Sequence, residues 1–192
     1  PGMRRATEPS GESAKGEAPA KKGCTDEVES MHLFWPRAGF LVVMLLVQSI
    51  SSVILGGFEG LIQNHTDLVF FLTMIVGLGG NAGGQSMVLS VRGLATGHQV
   101  YTRQQLLRGL LLSLVLVPLA FFRVLIQHGS LAVAFTVAIS CLIVLATSTS
   151  CGTSIPRILL ALKIDPAHGA AIIQVLMDIG GIAIVCAVAV IV

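Results

Sequence analysis

Residues 167–192 read AHGAAIIQVLMDIGGIAIVCAVAVIV, an apolar run that holds no Lys or Arg and one carboxylate, Asp178. About 20 apolar residues wound as a helix cross a hydrocarbon core roughly 30 Å thick. This run therefore reads as a membrane span. Working upstream, the same length is met four more times. The run Gly39–Phe58 follows Trp35, Pro36 and Arg37, an aromatic and a cation that suit a membrane interface. Next come Leu68–Val91, then Gly109–Ile126 with Pro118 inside it, where a kink is expected, and Ser130–Ile155, which Pro156 is expected to end. Polar turns separate them at 59–67, 127–129 and 163–166, and the segment 92–108 is polar enough to be a surface connection. The fold class that follows is an all-α membrane protein with five transmembrane helices in residues 34–192.

Composition agrees. Of 192 residues, 54% are hydrophobic and 11% charged, against about 25% charged in soluble domains. A net charge of +2, with no basic stripe interleaved with aromatics, speaks against a nucleic-acid partner. Cys24, Cys141, Cys151 and Cys186 make no CxxC pair, and the last three lie in apolar runs where a thiol is a small hydrophobe. Residues 1–33 are rich in Gly, Pro, Ala, Lys and Glu without an apolar period, and are expected to be a disordered cytosolic segment. They contain no short apolar core with a small-residue cleavage site, so they are not a signal peptide. Pro1 and Gly2, ahead of Met3, read as a cloning remnant.

Charge also fixes an expected orientation, because cytoplasmic loops collect Lys and Arg. Residues 1–37 hold six of the twelve cations. Arg92, Arg103 and Arg108 follow the second span, and Arg157 and Lys163 follow the fourth, whereas the turns after the first and third spans have none. Arg123, one turn inside the outer end of the third span, can snorkel. The amino terminus is thus expected inside and the carboxyl terminus outside.

A carboxylate at the centre of a span costs about 2.5–3.5 kcal/mol on insertion scales, so it normally faces a protein interior or water and has a task. Asp178 is the one carboxylate deep in a run, with Gln174 one turn earlier and Gly181 three residues later on the same face. The second span carries Asn81, Gln85 and Arg92 at i, i+4 and i+11, amid Gly77, Gly79, Gly80, Gly83 and Gly84, which permit close packing or local unwinding. Gly80 and Gly84 are candidates for close approach by an ion. Gln48, Ser52 and Glu59 share the i, i+4, i+11 pattern in the first span, but Glu59 falls near the outer surface as a solvated rim charge. The hydroxyl-rich run Thr147–Ser154 is expected to satisfy its own helix backbone.

These residue types favour a hard cation. Mg²⁺ takes oxygen ligands in an octahedron and gives up water reluctantly, so one carboxylate per subunit with retained waters suits it. A second copy of Asp178 on a two-fold axis would supply the missing charge. The imidazole and thiolate clusters that favour zinc or copper are absent from the sequence pattern, since His32, His65, His98, His128 and His168 all fall at predicted surfaces or turns.

At Gly79, Gly80, Asn81, Ala82, Gly83, Gly84, Gln85 and Ser86, followed by Arg92, Gly93, Leu94, Ala95, Thr96 and Gly97, the sequence resembles the GGNxGxQ and RGLAxG signature of the MgtE magnesium transporter/channel membrane domain. Gln48, Ser49, Gly57, Phe58 and Glu59 upstream, and Pro156, Leu160, Asp165, Pro166 and Asp178 downstream, are similar to the same family, so the resemblance covers residues 34–192. It implies a homodimer of five-helix subunits in the cell (inner) membrane, with a central pore lined mainly by the second and fifth helices. It implies Mg²⁺ as transported ion and ligand, with Asp178 and Asn81 at the metal; the polar face of the fifth span makes Gln174 a further candidate metal residue, and Gly80, Gly84, Gln85, Gly181 and Glu59 are candidates along the ion pathway. Asp178 matches the acidic pore residue and Asn81 the asparagine of the signature, while Gln174 stands where the family pattern has a small residue. Full-length members also carry a cytosolic helical domain and paired CBS modules, and residues 1–33 are too short and polar to fold into either.

Other classes fare worse. An aspartyl protease in the membrane needs two deep carboxylates, a serine version needs a deep Ser and His pair, and no HExxH occurs, so an enzyme is not expected. The alternatives that stay open are a non-conducting membrane assembly subunit, which would use its glycine faces for packing alone, and a transporter of another divalent metal such as Mn²⁺ or Co²⁺.

Overall fold

The computed structural model describes residues 22–64, 66–97 and 102–192, and the described residues are helical, with no strand among them. In chain order they form α1 (Lys22–Gly57), α2 (Glu59–Asn64), α3 (Thr66–Ala95), α4 (Thr102–His128), α5 (Leu131–Ala161), a 3-10 turn (Pro166–His168) and α6 (Gly169–Ile191). All but the short α2 are long and apolar enough to cross a membrane, which gives five spans. That matches the five apolar runs of the sequence. The chain divides at Phe40 into a unit of residues 1–40 and a unit of residues 41–192. In the first, the rings of Phe34 and Trp35 meet edge to face at 5.5 Å.

Several boundaries differ from those read off the sequence, and each difference has a local cause. α1 begins at Lys22 instead of near Gly39. From Thr25 to Phe34 there is neither Gly nor Pro, so extending an existing helix costs little per residue. The part of the expected disordered segment that covers 1–21 lies outside the described residues. Residues 59–64, expected as a turn, wind into α2, with the Nε2 of Gln63 donating to Oε1 of Glu59 at 3.1 Å. The connection expected over 92–108 shrinks, because α3 runs on to Ala95 and α4 already starts at Thr102. Pro156 does not end α5, which continues to Ala161. A proline costs a helix one backbone bond and tolerates continuation where neighbouring elements support the freed carbonyl. Pro156 is buried among such neighbours.

Within residues 41–192, α5 is the central element. It packs along both α3 and α4, and α6 lies against α3 and α5. Small residues make the approach possible, as they must where lipid offers no hydrophobic driving force between helices. A Cβ on Gly83 would sit 2.5 Å from Oγ of Ser148 and 2.7 Å from Ile173, and one on Gly79 would sit 2.5 Å from Val144. Where Gly152 meets α3, an added Cβ would run into the backbone carbonyl of Gly83. The hydroxyl of Ser148 donates to the carbonyl of Gly79 across this seam. Two apolar cores result. One gathers Phe71, Ile75, Val124, Val137, Val144 and Val185, and the other Met87, Ile155, Leu159, Ile173 and Met177.

The turn read at 127–129 is shorter than expected, because α4 continues through Gln127 to His128 and the chain leaves the helix at Gly129. Gly129 takes φ +67°, which closes α4 by donating its N–H to the Leu125 carbonyl at 2.9 Å, and Ser130 caps α5 by accepting from the Val133 N–H. α1 is the outlier of the bundle. Its most apolar stretch is not buried at all, and Leu45, Leu46 and Val53 are exposed.

Candidate ion site

Asp178 lies midway along α6, half-buried, between Met177, which is in the core, and Ile179. Helical spacing puts Gln174 one turn earlier on the same face, and its Nε2 donates to Oδ1 of Asp178 at 3.0 Å. A second amide arrives from α1. Nε2 of Gln48 donates to Oδ2 at 2.5 Å, so each carboxylate oxygen accepts one N–H. Among the described residues no Lys, Arg or His pairs with Asp178. Two neutral donors orient the carboxylate, and among the described residues no protein cation accompanies them.

Gly80 is the floor of this arrangement. A Cβ there would overlap the side-chain amide of Gln174, so the glycine gives Gln174 the room it occupies. Gly181, one turn beyond Asp178, packs on Val76, where an added Cβ would come within 3.0 Å of its methyl group. Gly181 thus joins α6 to α3. Gly84 has open space beside it and Gln85 is exposed.

Asn81 follows Gly80 but points about 100° round the helix, where it is exposed. There it lines a hollow of about 570 Å³ between α3 and α4, together with Thr73, Gly77, Leu116, Leu119 and Arg123. The guanidinium of Arg123 donates to Gln127 at one end of α4. Of the three candidate metal ligands, the chain thus brings Asp178 and Gln174 together, while Asn81 sits on a different aspect of α3. Asn81, Gln85 and Arg92 form an exposed stripe along α3 at the spacing read from the sequence. Glu59 does not continue the Gln48 and Ser52 stripe, because α1 ends at Gly57 and Glu59 opens the separate helix α2, exposed beyond the end of α1.

The hydroxyls of α5 behave as helix-satisfying groups. Thr147, Thr149, Ser150, Thr153 and Ser154 each donate to a carbonyl one turn back, with Ser148 the exception that crosses to α3. Among the described residues no group of three or more His, Cys, Asp or Glu side chains converges. The polar cluster on α6 thus holds one carboxylate, that of Asp178, with two amides. Sequence reasoning missed the part Gln48 plays. Its signal was the lone carboxamide inside the first apolar run.

Comparison with known proteins gives the family. The family model of MgtE, described as a divalent cation transporter, matches residues 72–188, from within α3 through most of α6. The chain is 30% identical over 174 residues to the magnesium transporter MgtE of Thermus thermophilus, a match covering 85% of this chain and 38% of that protein. Against the magnesium transporter MgtE of Bacillus subtilis it is 29% identical over 158 residues, covering 78% of this chain and 35% of that protein. It spans little more than a third of the length of these relatives. With five spans and a family match over more than half its length, this chain is a multi-pass integral membrane protein that belongs to the MgtE family of divalent cation transporters.

Proposed function

We propose that the protein transports divalent cations, Mg²⁺ first among them, across the cell membrane through a pore on the axis of a homodimer, with Asp178 of each subunit holding a hydrated ion. The observation that carries this reading is Asp178 itself. It is a carboxylate inside a span, held by two amides and, among the described residues, by no cation. An intramembrane charge without a protein counter-ion is stable where a mobile cation or water meets it. A single carboxylate is too little charge for a divalent ion, and a two-fold axis doubles it. The exposed polar stripe Asn81, Gln85 and Arg92, and the open side of Gly84, give α3 a face suited to a second copy and to water.

Mg²⁺ fits this donor set because it keeps several waters and needs few protein oxygens. Asn81 and Gln85 would offer amide oxygens to that water shell as the two subunits meet, with Gly80 and Gly84 leaving room beside them. The Lys and Arg distribution supports an amino terminus on the cytoplasmic side and a carboxyl terminus outside. The reading is transport without covalent chemistry, which the match to the divalent cation transporter family and the likeness to magnesium transporters support.

The test is ion flux into proteoliposomes, run separately with Mg²⁺, Mn²⁺, Co²⁺ and Ca²⁺. Wild type should conduct Mg²⁺ and Asp178→Ala should not. Equal ion leak in both, or none in either, would identify a packing subunit instead. A preference for Mn²⁺ or Co²⁺ over Mg²⁺ would reassign the substrate.

A further inference from the structure

The two amides on Asp178 are anchored differently. Gln174 is exposed and shares α6 with Asp178, its amide seated over Gly80 in the space that a Cβ there would need and its Nε2 3.0 Å from Oδ1. Gln48 comes from α1, a helix whose apolar stretch is not buried, yet its side chain is half-buried and reaches Oδ2 on α6. A lone carboxamide in an apolar helix would normally find a partner on its own backbone or at an interface. This one spans 130 residues of sequence to reach a carboxylate midway along another span.

The geometry points to Gln48 and Gln174 as specificity-determining residues, a pair of carboxamides that sets which divalent cations Asp178 accepts. The inference rests on the reading of Asp178 as the ion site. Each carboxylate oxygen has about two acceptor directions, and here one on each is taken by an N–H. The donors also place partial positive charge where a bare cation would have to sit. Ca²⁺ readily binds carboxylates directly and often through both oxygens, so it must displace both amides. Mg²⁺ surrenders water reluctantly and needs only an acceptor for the O–H of a bound water, which the remaining lone pairs supply. The carboxamides therefore penalise direct binding and leave binding through water intact. They raise the cost of Ca²⁺ more than that of Mg²⁺.

Titration calorimetry of the full chain in nanodiscs, with Mg²⁺ and Ca²⁺ in separate runs, tests this on Gln48→Met, Gln174→Met and Asp178→Asn. Methionine keeps length and bulk while removing the donor. Either methionine variant should shift the Ca²⁺ to Mg²⁺ affinity ratio toward Ca²⁺ by about tenfold, the factor expected from one hydrogen bond to a charged group. A ratio of affinities does not depend on how much of the sample is folded, so a merely structural role would not move it. Should Gln48→Met fail to fold, Gln48→Asn withdraws the amide by one methylene and should give the same shift. Ratios within twofold of wild type would overturn the inference. If that happens while Asp178→Asn abolishes binding of both ions, the carboxamide pair alone is wrong. If Asp178→Asn binds both ions as wild type does, the ion site lies elsewhere and both readings fall.

Discussion

A glycine of α3 and an exposed glutamine of α6 share one place beside Asp178. Gly80 leaves a gap on α3 that the amide of Gln174 fills, and that amide in turn holds Asp178. Gly80→Ala should therefore push Gln174, whose amide is the far end of a flexible and exposed side chain, off the carboxylate and cost the fold about 0.5–1.5 kcal/mol, the worth of one hydrogen bond. Gly84→Ala, with nothing within 4 Å of the new Cβ, should shift stability by no more than about 0.5 kcal/mol in the isolated subunit. Thermal unfolding of the two variants in detergent checks the contrast, and equal shifts would contradict it. Asp178 was legible in the sequence because a carboxylate amid Ile, Val, Leu and Met is costly enough to demand a reason. Gln48 as its partner was not, since a side chain from 130 residues away leaves no local periodicity to read. The separation of Asn81 from Gly80 was hidden for a related reason. Adjacent residues look alike in a motif, but a helix turns them about 100° apart.

At the scale of elements, the α3 and α5 seam is a backbone-to-backbone approach. Gly152→Ala would drive a methyl group into the Gly83 carbonyl, and backbone cannot rotate away as a side chain can. Its cost should exceed that of Ser148→Ala, which removes one interhelical hydrogen bond to Gly79 worth about 0.6 kcal/mol on average and up to about 1.7. Chemical unfolding of both variants gives the order, and a larger loss for Ser148→Ala would overturn it. All five spans were legible from length and hydropathy alone, because apolar length is the membrane's own criterion. Helix ends were less so. Pro156 reads as a stop in sequence, yet inside the bundle its neighbours carry α5 to Ala161. The short helix α2 has too few residues for a period to announce it. The expected topology has its own test in cysteines placed at Gln63 and at Thr96 in a cysteine-free background. The first should react with an impermeant thiol reagent from outside and the second from inside. Labelling of both from one face would remove the proposed orientation.

At the scale of the whole molecule, the proposed dimer asks each subunit for half a site. In that proposal the carboxylate midway along α6, the exposed polar stripe on α3 and the open side of Gly84 are the features that a second copy would complete. Gln85→Cys should accordingly cross-link two copies under mild oxidation in membranes, whereas Leu114→Cys, exposed on α4, should not. The same pattern from both variants would mean that α3 does not face a partner. The central claim, that Asp178 in duplicate holds the transported ion, is tested most directly by anomalous diffraction from crystals soaked in Mn²⁺, a scattering substitute for Mg²⁺. Wild type should show one anomalous peak between two copies of Asp178, and Asp178→Asn, folded and dimeric, should show none there. A peak of undiminished height in the mutant, or a wild-type peak away from Asp178, would contradict the account.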